Sequence, residues 1–423
     1  MPRLPPRLIC HAARIDRHIP VLLRECRDLN SARNELRWMK ETILSKHLGI
    51  EESEWDLNQT AIWHKSSLTG RRLQSYVTRR AKGEPLQYIL GTQPFGNLEI
   101  KCKRNVLIPR PETETYTTEI GKILRDGRGL WSNTRGEESP RLGSGWTIAD
   151  FCSGSGCISL LLHSLLRPPC GQQDTPSPRI LGFDISHHAL ASSKDNLHHN
   201  IKLKTLHANA AKDITFHSLD VLSLAQKSHS EITSHLSTYL PTNTNTNTKN
   251  HPHLFDAIIS NPPYISPKHY TPRGPTTKSV RNFEPKLALV PSPTLAFPDV
   301  NQADQFYVAL LRISVATRPR VLVMEVGDTE QALRVCALVR NEIGGMGRQI
   351  DGGNGNGKVE VEIWRDDGSC VRESEIQTQI ADSRGGDGNE NGGKGSGSGT
   401  LVQNEGEVES ESEGRVVVVW FRS

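Results

Sequence analysis

Asn261, Pro262, Pro263 and Tyr264 are the residues of this sequence whose types and spacing point most directly to chemistry. They follow the apolar run 255–260, which predicts a buried parallel strand, and open α/β sheets bind ligands at the carboxyl ends of such strands. Each proline fixes φ near about −65° and holds the backbone rigid. The Asn261 side-chain oxygen and the Pro262 backbone oxygen could then accept both N–H bonds of a substrate NH2 group. Asn-Pro alone is also a common turn signal, and Tyr264 could either wall a planar substrate group or pack in the core.

A glycine-bearing turn predicts a second ligand site. It follows a predicted strand at 146–151 and precedes an apolar helix. Its glycines would let a ligand approach the backbone closely, although the patterns of a dinucleotide fingerprint and a P-loop are incomplete. Asp184 ends the next predicted strand, where it could accept hydrogen bonds from two ribose hydroxyls or cap the following helix. Asp220 and Val221 could flank an adenine, with core packing as the alternative for Val221.

The residues of this region that could bind a nucleotide-like ligand are Gly154, Gly156, Asp184, Asp220 and Val221. The candidate substrate-binding residues are Asn261, Pro262, Pro263 and Tyr264, of which Asn261, Pro262 and Tyr264 are also candidate catalytic residues.

The composition indicates a globular protein with no obligatory nucleic-acid partner. The 423 residues are 35% hydrophobic and 23% charged, with a formal net charge of +4, and allow two domains plus some unpacked sequence. Eight cysteines without CxxC pairs favour a reducing compartment and no zinc site. Two adjacent histidine pairs, 187–188 and 198–199, do not form an i, i+4 ligand face, so we predict no metal. No apolar run approaches the roughly 18 residues that span a bilayer, and we expect a soluble protein.

The pattern of apolar residues divides the chain into a helical domain, a linker and an α/β domain. Helical spacing predicts a small helical domain over 19–84, and short apolar runs at 98–100 and 106–108 predict a β-hairpin linker over 85–114. Strands then alternate with helices, which favours a parallel, doubly wound sheet over 115–366.

Several segments are predicted to lie outside this core. The polar stretches 127–145, 242–250 and 367–414 are predicted insertions, the last of them a disordered loop before a terminal strand at 415–423. Residues 1–18 are rich in arginine and could be a mitochondrial presequence or a frayed basic terminus.

The turn at 150–157, Asp184 and the 261–264 tetrapeptide together resemble the class I S-adenosylmethionine-dependent methyltransferases that methylate amino groups. Within that class, Pro-Leu-Gln-Tyr-Ile-Leu-Gly at 85–91, the segment 106–114 and Phe-Glu-Pro-Lys-Leu-Ala-Leu at 283–289 resemble the HemK/PrmC family of release-factor glutamine methyltransferases. Pro-Arg-Pro-Glu-Thr-Glu, which ends the segment 106–114, is more specific than the tetrapeptide, which adenine and cytosine amino-methyltransferases share. The resemblance covers most of residues 25–366 and the final strand.

This resemblance implies a Rossmann-like catalytic domain, a helical N-terminal domain that engages the release factor, and a hairpin linker. It implies S-adenosylmethionine as methyl donor and, as substrate, the glutamine of the Gly-Gly-Gln motif of a peptide-chain release factor. The cofactor-binding residues that it implies are Asp150, Cys152, Ser153, Gly154, Ser155, Gly156, Asp184, Asp220, Val221 and Asn261. Phe95 and Glu112 or Glu114 could shape the pocket mouth, and the alternative for the two acids is a role at the start of a helix. The sequence departs from the family pattern at two positions, which could change its affinity for the methyl donor. Cys152 stands where many members have glycine, and Val221 stands where some have an aromatic residue.

A helical N-terminal domain is implied for the bacterial type, whose eukaryotic counterparts act on organellar release factors. With the basic N-terminus, this predicts a mitochondrial protein of the matrix, with a cytoplasmic protein as the alternative. An N6-adenine DNA or RNA methyltransferase is a rival, since it would use the same acceptor pair on a flipped base. A catalytically silent binding protein with a methyltransferase fold is a rival from another class.

Overall fold

The computed structural model describes residues 3–48, 63–64, 67–127, 145–169, 177–241, 253–294, 296–344, 358–371 and 414–422. The predicted insertion at 242–250 lies outside these residues, as do 128–144 and 372–413 of the other two.

The N-terminal part of the chain is a helical domain with its own core. Its helices are α1 (Pro6–Ile15), α2 (Ile19–Cys26), α3 (Leu29–Ile43) and α4 (Leu68–Ala81), with a π-helical turn at Leu44–Leu48. Leu22, Met39 and Leu73 are completely buried in this core. Ala12 of α1 is buried in the same cluster, so α1 packs with the helical domain although it precedes the predicted boundary at residue 19.

The linker contains α5 (Leu86–Leu90) and a hairpin of β1 (Thr92–Phe95) and β2 (Leu98–Lys101). The expectation that the run 106–108 supplies a hairpin strand is wrong, because β1 and β2 pair with each other across the turn at Gly96, whose φ is +58°. The predicted linker end at 114 falls inside α6 (Pro111–Asp126). Pro111 at the first helical position and the acids Glu112 and Glu114 in the first turn start this helix.

One eight-stranded sheet forms the centre of the α/β domain. Its strands are β3 (Thr147–Phe151), β4 (Arg179–Asp184), β5 (Ile214–Ser218), β6 (Ala257–Ser260), β7 (Val321–Glu325), β8 (Lys358–Arg365), β9 (Cys370–Val371) and β10 (Gly414–Arg422). Their spatial order is β5-β4-β3-β6-β7-β10-β8-β9. Strands β3 to β7 are parallel, and β10 lies antiparallel between β7 and β8.

Helices cover both faces of the sheet and bury it in two apolar clusters. They are α7 (Cys157–Leu166), α8 (His187–Lys202), α9 (Ala210–Asp213), α10 (Val221–Ala225), α11 (His229–Ser237), α13 (Gln305–Thr317) and α14 (Thr329–Gly344). The domain also contains the short helix α12 (Lys278–Phe283) and 3-10 turns at Lys286–Ala288 and Gln302–Asp304. This arrangement confirms the predicted class I methyltransferase fold. The strand order reverses direction between β3 and β6, so their carboxyl ends border the crevice where such sheets bind ligands.

Residues at the boundary of the last predicted insertion belong to the sheet. Cys370 and Val371 pair with β8, so the expectation that a disordered segment begins at 367 is wrong for its first five residues. Backbone pairing with an existing strand holds this short apolar segment despite the polar sequence that follows. Among the described helices, none is long and apolar enough to cross a membrane.

Candidate active site

A cavity of about 590 Å³ lies at the carboxyl ends of β3, β4 and β6. Eight of the candidate cofactor-binding residues line it, namely Cys152, Ser153, Gly154, Ser155, Asp184, Asp220, Val221 and Asn261. The loop 105–110 lines it from the linker side, and Leu287 and Ala288 from the segment after α12. We call it the first cavity.

The turn after β3 is shaped by residues with positive φ. Gly154 has a φ of +55°, and a Cβ added there would meet only the Cys152 carbonyl oxygen, at 3.9 Å. A Cβ on Gly156 would lie 2.9 Å from Cβ of Ser193 and 3.0 Å from the Phe216 ring. Gly154 therefore leaves space beside the backbone for a ligand, whereas Gly156 is required by packing and does not line the cavity.

Asp184 stabilises the turn after β3, and its carboxylate can still accept further hydrogen bonds. Its Oδ2 accepts a hydrogen bond from the Gly154 amide and its Oδ1 from the Ser186 amide, both at 2.8 Å. Ser186 caps α8, so the alternative that Asp184 is the helix cap is wrong. Each carboxylate oxygen can accept a further bond, as two ribose hydroxyls would require. Burial raises the pKa of Asp184 above its ordinary value, although the backbone hydrogen bonds oppose this.

Two other predicted acids have structural partners. Asp150 is completely buried behind the turn, where its Oδ2 accepts hydrogen bonds from the amide and hydroxyl of Ser159. It does not line the cavity. Asp220 lines the cavity and also caps α10 by accepting from the amides of Leu222 and Ser223. Val221 is both buried in the core and part of the cavity wall.

Asn261 directly follows the last residue of β6 and lines both the first cavity and a second one. Its Nδ2 donates to Oγ1 of Thr113 at 3.2 Å. Within the described part of the chain, no group donates to Asn261 Oδ1 or to the Pro262 carbonyl oxygen. Both oxygens that the sequence predicts as acceptors are therefore without a donor among these residues.

The second cavity has a volume of about 680 Å³ and shares Leu107, Arg110, Asn261 and Ala288 with the first. Tyr264 lines it and packs partly against the core. Pro263 lines the first cavity, whereas Pro262 is buried and lines neither.

Comparisons with known proteins agree with this geometry. The PrmC N-terminal domain family model matches residues 22–91. The probable MRF1 mitochondrial N(5)-glutamine methyltransferase mtq1 of Schizosaccharomyces pombe is 32% identical over 269 residues, which are 61% of this chain and 69% of that protein. The mitochondrial MRF1 N(5)-glutamine methyltransferase MTQ1 of Saccharomyces cerevisiae is 30% identical over 69% of this chain and 68% of its own length.

The chain belongs to the release factor glutamine methyltransferase family. A release factor glutamine methyltransferase of Haemophilus influenzae is 27% identical over 70% of this chain and 80% of that protein. The protein is therefore a methyltransferase, and S-adenosylmethionine is its methyl donor.

The first cavity fits this donor. Ser153 Oγ is buried without a partner among the described residues, and Asp184 retains acceptor sites, so a ligand with polar groups would satisfy them. The volume lies in the usual range for small-molecule sites, about 300–1,000 Å³.

Three side chains hold the loop 105–110 of this family member against the first cavity. The Tyr88 hydroxyl donates to the Val106 carbonyl oxygen at 2.6 Å. The buried Glu284 carboxylate accepts from the Ile108 amide at 3.3 Å and from the Arg110 guanidinium at 2.7 Å. The sequence patterns predicted no role for Tyr88, Arg110 or Glu284, although all three lie in the segments that carry the family resemblance.

Glu325 is a further residue of the site that sequence reasoning missed. It ends β7, is buried, and accepts from Thr113 Oγ1 at 2.7 Å and from the Tyr264 hydroxyl at 3.2 Å. Glu325 is an acid at the end of an otherwise apolar strand. Because a buried carboxylate requires partners, this position could have indicated a polar site there.

Proposed function

We propose that this protein transfers the methyl group of S-adenosylmethionine to the side-chain amide nitrogen of the glutamine in the Gly-Gly-Gln motif of a peptide-chain release factor. The observation that carries the proposal is that Asn261 lines both cavities and that neither its Oδ1 nor the carbonyl oxygen of the adjacent Pro262 accepts a hydrogen bond from the described residues. A primary amide offers two N–H donors, which match this pair. The donor would occupy the first cavity, and the glutamine would enter through the second.

The acceptor pair would act by positioning the amide. An amide nitrogen is a weak nucleophile because its lone pair is delocalised into the carbonyl. S-adenosylmethionine supplies an electrophilic methyl group bonded to a positively charged sulfur. Hydrogen bonds from both N–H groups to Asn261 and Pro262 would raise the electron density on nitrogen, align it for attack and stabilise its developing positive charge. Tyr264 would wall the planar amide in the second cavity.

The substrate factor would be a mitochondrial one, and the protein would act in the mitochondrial matrix. The two fungal relatives, whose names place them in mitochondria, support this. The helical domain would engage the factor, since residues 22–91 match the PrmC N-terminal domain. Fractionation with protease protection tests the location: a protected protein that co-purifies with matrix markers is expected, and a cytosolic protein would contradict it.

Labelled S-adenosylmethionine tests the reaction. The purified protein is incubated separately with a mitochondrial release factor, with the factor whose Gly-Gly-Gln glutamine is replaced by alanine, and with adenine-containing DNA. Label is expected on the wild-type factor alone. Asn261→Ala is expected to lower the rate by about 100-fold, since one preorganised hydrogen-bond partner is lost. Asn209→Ala is a matched control, because this exposed side chain makes no capping hydrogen bond.

Two outcomes would overturn the proposal. Label on DNA with none on the factor would indicate the adenine methyltransferase instead. Donor binding without label on any substrate would indicate a catalytically silent protein.

A further inference from the structure

A chain of hydrogen bonds connects Asn261 to a buried carboxylate outside the acceptor pair. Asn261 Nδ2 donates to Thr113 Oγ1 at 3.2 Å, and Thr113 Oγ1 donates to Glu325 Oε2 at 2.7 Å. The other oxygen of Glu325 accepts from the Tyr264 hydroxyl. Thr113 and Glu325 are both buried, so the bond between them is shielded from water.

The chemistry of this chain sets the direction of every bond in it. An ionised carboxylate can only accept, so it takes the single hydrogen of the Thr113 hydroxyl. The lone pairs of that hydroxyl then remain for Asn261, and only the amide nitrogen of Asn261 can donate to them. The oxygen of Asn261 must therefore lie on the side away from Thr113.

Protonation of Glu325 would remove this constraint. A neutral Glu325 can donate to Thr113, whose own hydrogen could then point to the Asn261 oxygen. Asn261 would in that case turn its NH2 group towards the substrate amide. Two N–H donors would face each other, and the proposed acceptor would be lost.

We propose that Thr113 and Glu325 are positioning residues that fix the orientation of the Asn261 amide and thereby keep its oxygen available to the substrate. Glu325 also places Tyr264 through its second oxygen. The inference rests on the proposed function, because the orientation of Asn261 affects turnover only if Asn261 accepts a hydrogen bond from the substrate.

The surroundings of Glu325 allow it to titrate near neutral pH. Burial raises its pKa to about 7, although the hydrogen bonds from Thr113 and Tyr264 oppose this rise. The charged and titratable groups facing it come from several elements: Arg110 before α6, Glu112 and Tyr116 on α6, Cys157 on α7, Tyr264 after β6 and Tyr307 on α13. The ionised form should therefore dominate above about pH 7, and turnover should fall as the pH drops below it.

Thr113→Val and Thr113→Ser form a matched pair that tests the positioning role. Valine keeps the shape of threonine but removes the hydroxyl, so we expect kcat on the release factor to fall at least tenfold. The donor Kd, measured by titration calorimetry, should change less than about twofold. Serine keeps the hydroxyl and should restore kcat to within about threefold of the wild type. Full activity in Thr113→Val, or an equal loss in Thr113→Ser, would overturn the inference.

Glu325→Gln provides a second test that does not depend on the first variants folding. Wild-type kcat should fall about tenfold between pH 8 and pH 6, as a single group with a pKa of about 7 is protonated. We call this fall in kcat at low pH the acid limb. The glutamine variant should lack it, because a glutamine amide does not titrate. Asp150→Asn is the control, since Asp150 is another buried acid whose pKa is raised to about 7, and it should keep the limb whatever its absolute rate.

The readouts separate this inference from the proposed function. A wild-type protein that does not label the factor would fail the proposed function itself. A wild-type protein that labels the factor, with an acid limb that persists in Glu325→Gln, would overturn the positioning role alone.

Discussion

Cys152 holds a backbone conformation that is costly for any residue with a side chain. Its φ is +60°, in the left-handed region, and it lines the first cavity. For residues other than glycine this conformation costs roughly 1–2 kcal/mol. A cysteine at this position therefore affects the backbone of the turn as well as the cavity wall.

Cys152→Gly should be more stable than Cys152→Ala by about 1 kcal/mol. Both variants lose the thiol, but only alanine keeps the Cβ that strains the turn. Urea unfolding of both variants measures the difference in the free energy of unfolding. Equal stabilities would contradict the proposed strain.

The loop 105–110 depends on an ion pair between two elements that are distant in sequence. Arg110 precedes α6, and Glu284 follows α12; the Glu284 carboxylate is only 1% exposed and Arg110 is 30% exposed. An unpaired charge in such a place is poorly solvated. The ion pair therefore joins the segment after α12 to the loop that lines the first cavity.

Glu284→Gln should lower the free energy of unfolding by about 1.5–3 kcal/mol, since a hydrogen bond between charged groups is lost. It should also weaken donor binding, because the loop at the cavity is held less firmly. Thermal unfolding and calorimetric titration of the donor measure the two effects. Glu119→Gln is the control: its ion pair with Lys122 is 38% and 48% exposed, and its loss should change stability by less than about 0.5 kcal/mol. Similar behaviour of the two variants would refute the argument.

The stability of the whole molecule should depend on buried acids in the centre of the α/β domain. Burial raises the pKa of both Asp150 and Glu325 to about 7, from ordinary values of 3.8 and 4.5. The folded state thus binds protons more tightly than the unfolded state. The resulting stabilisation is fully present below about pH 4 and is lost as the pH rises through about 7.

Asp150→Asn should remove the part of this pH dependence that belongs to Asp150. The stability of the wild type relative to this variant should fall by up to about 4 kcal/mol between pH 4 and pH 8. Urea unfolding across this pH range checks the expectation. A difference that is constant or rises with pH would contradict the raised pKa.

Local sequence patterns predicted the strands β3, β4, β6 and β7, the glycine turn and the positions of the two candidate acceptors, Asn261 and Pro262. These features depend on local patterns: apolar runs between turn residues, glycines where the backbone has positive φ, and prolines that fix it. Sequence patterns also placed Asp184 beside the cavity, since it follows the strand after the turn. The strand predicted at 106–108 was wrong, because an apolar run can line a cavity as well as form a strand.

The distant residues that contact Asn261 follow from tertiary packing. Thr113 is 148 residues from Asn261 in the chain and 212 residues from Glu325. Tertiary packing also assigned Asp150 to the support of α7 and brought Glu284 to Arg110. Such partners follow from the order of strands in the sheet and the packing of α6 against it. Local propensity and spacing contain no information about contacts at that separation, so the positions of the acceptors were readable from the sequence and their orientation was not.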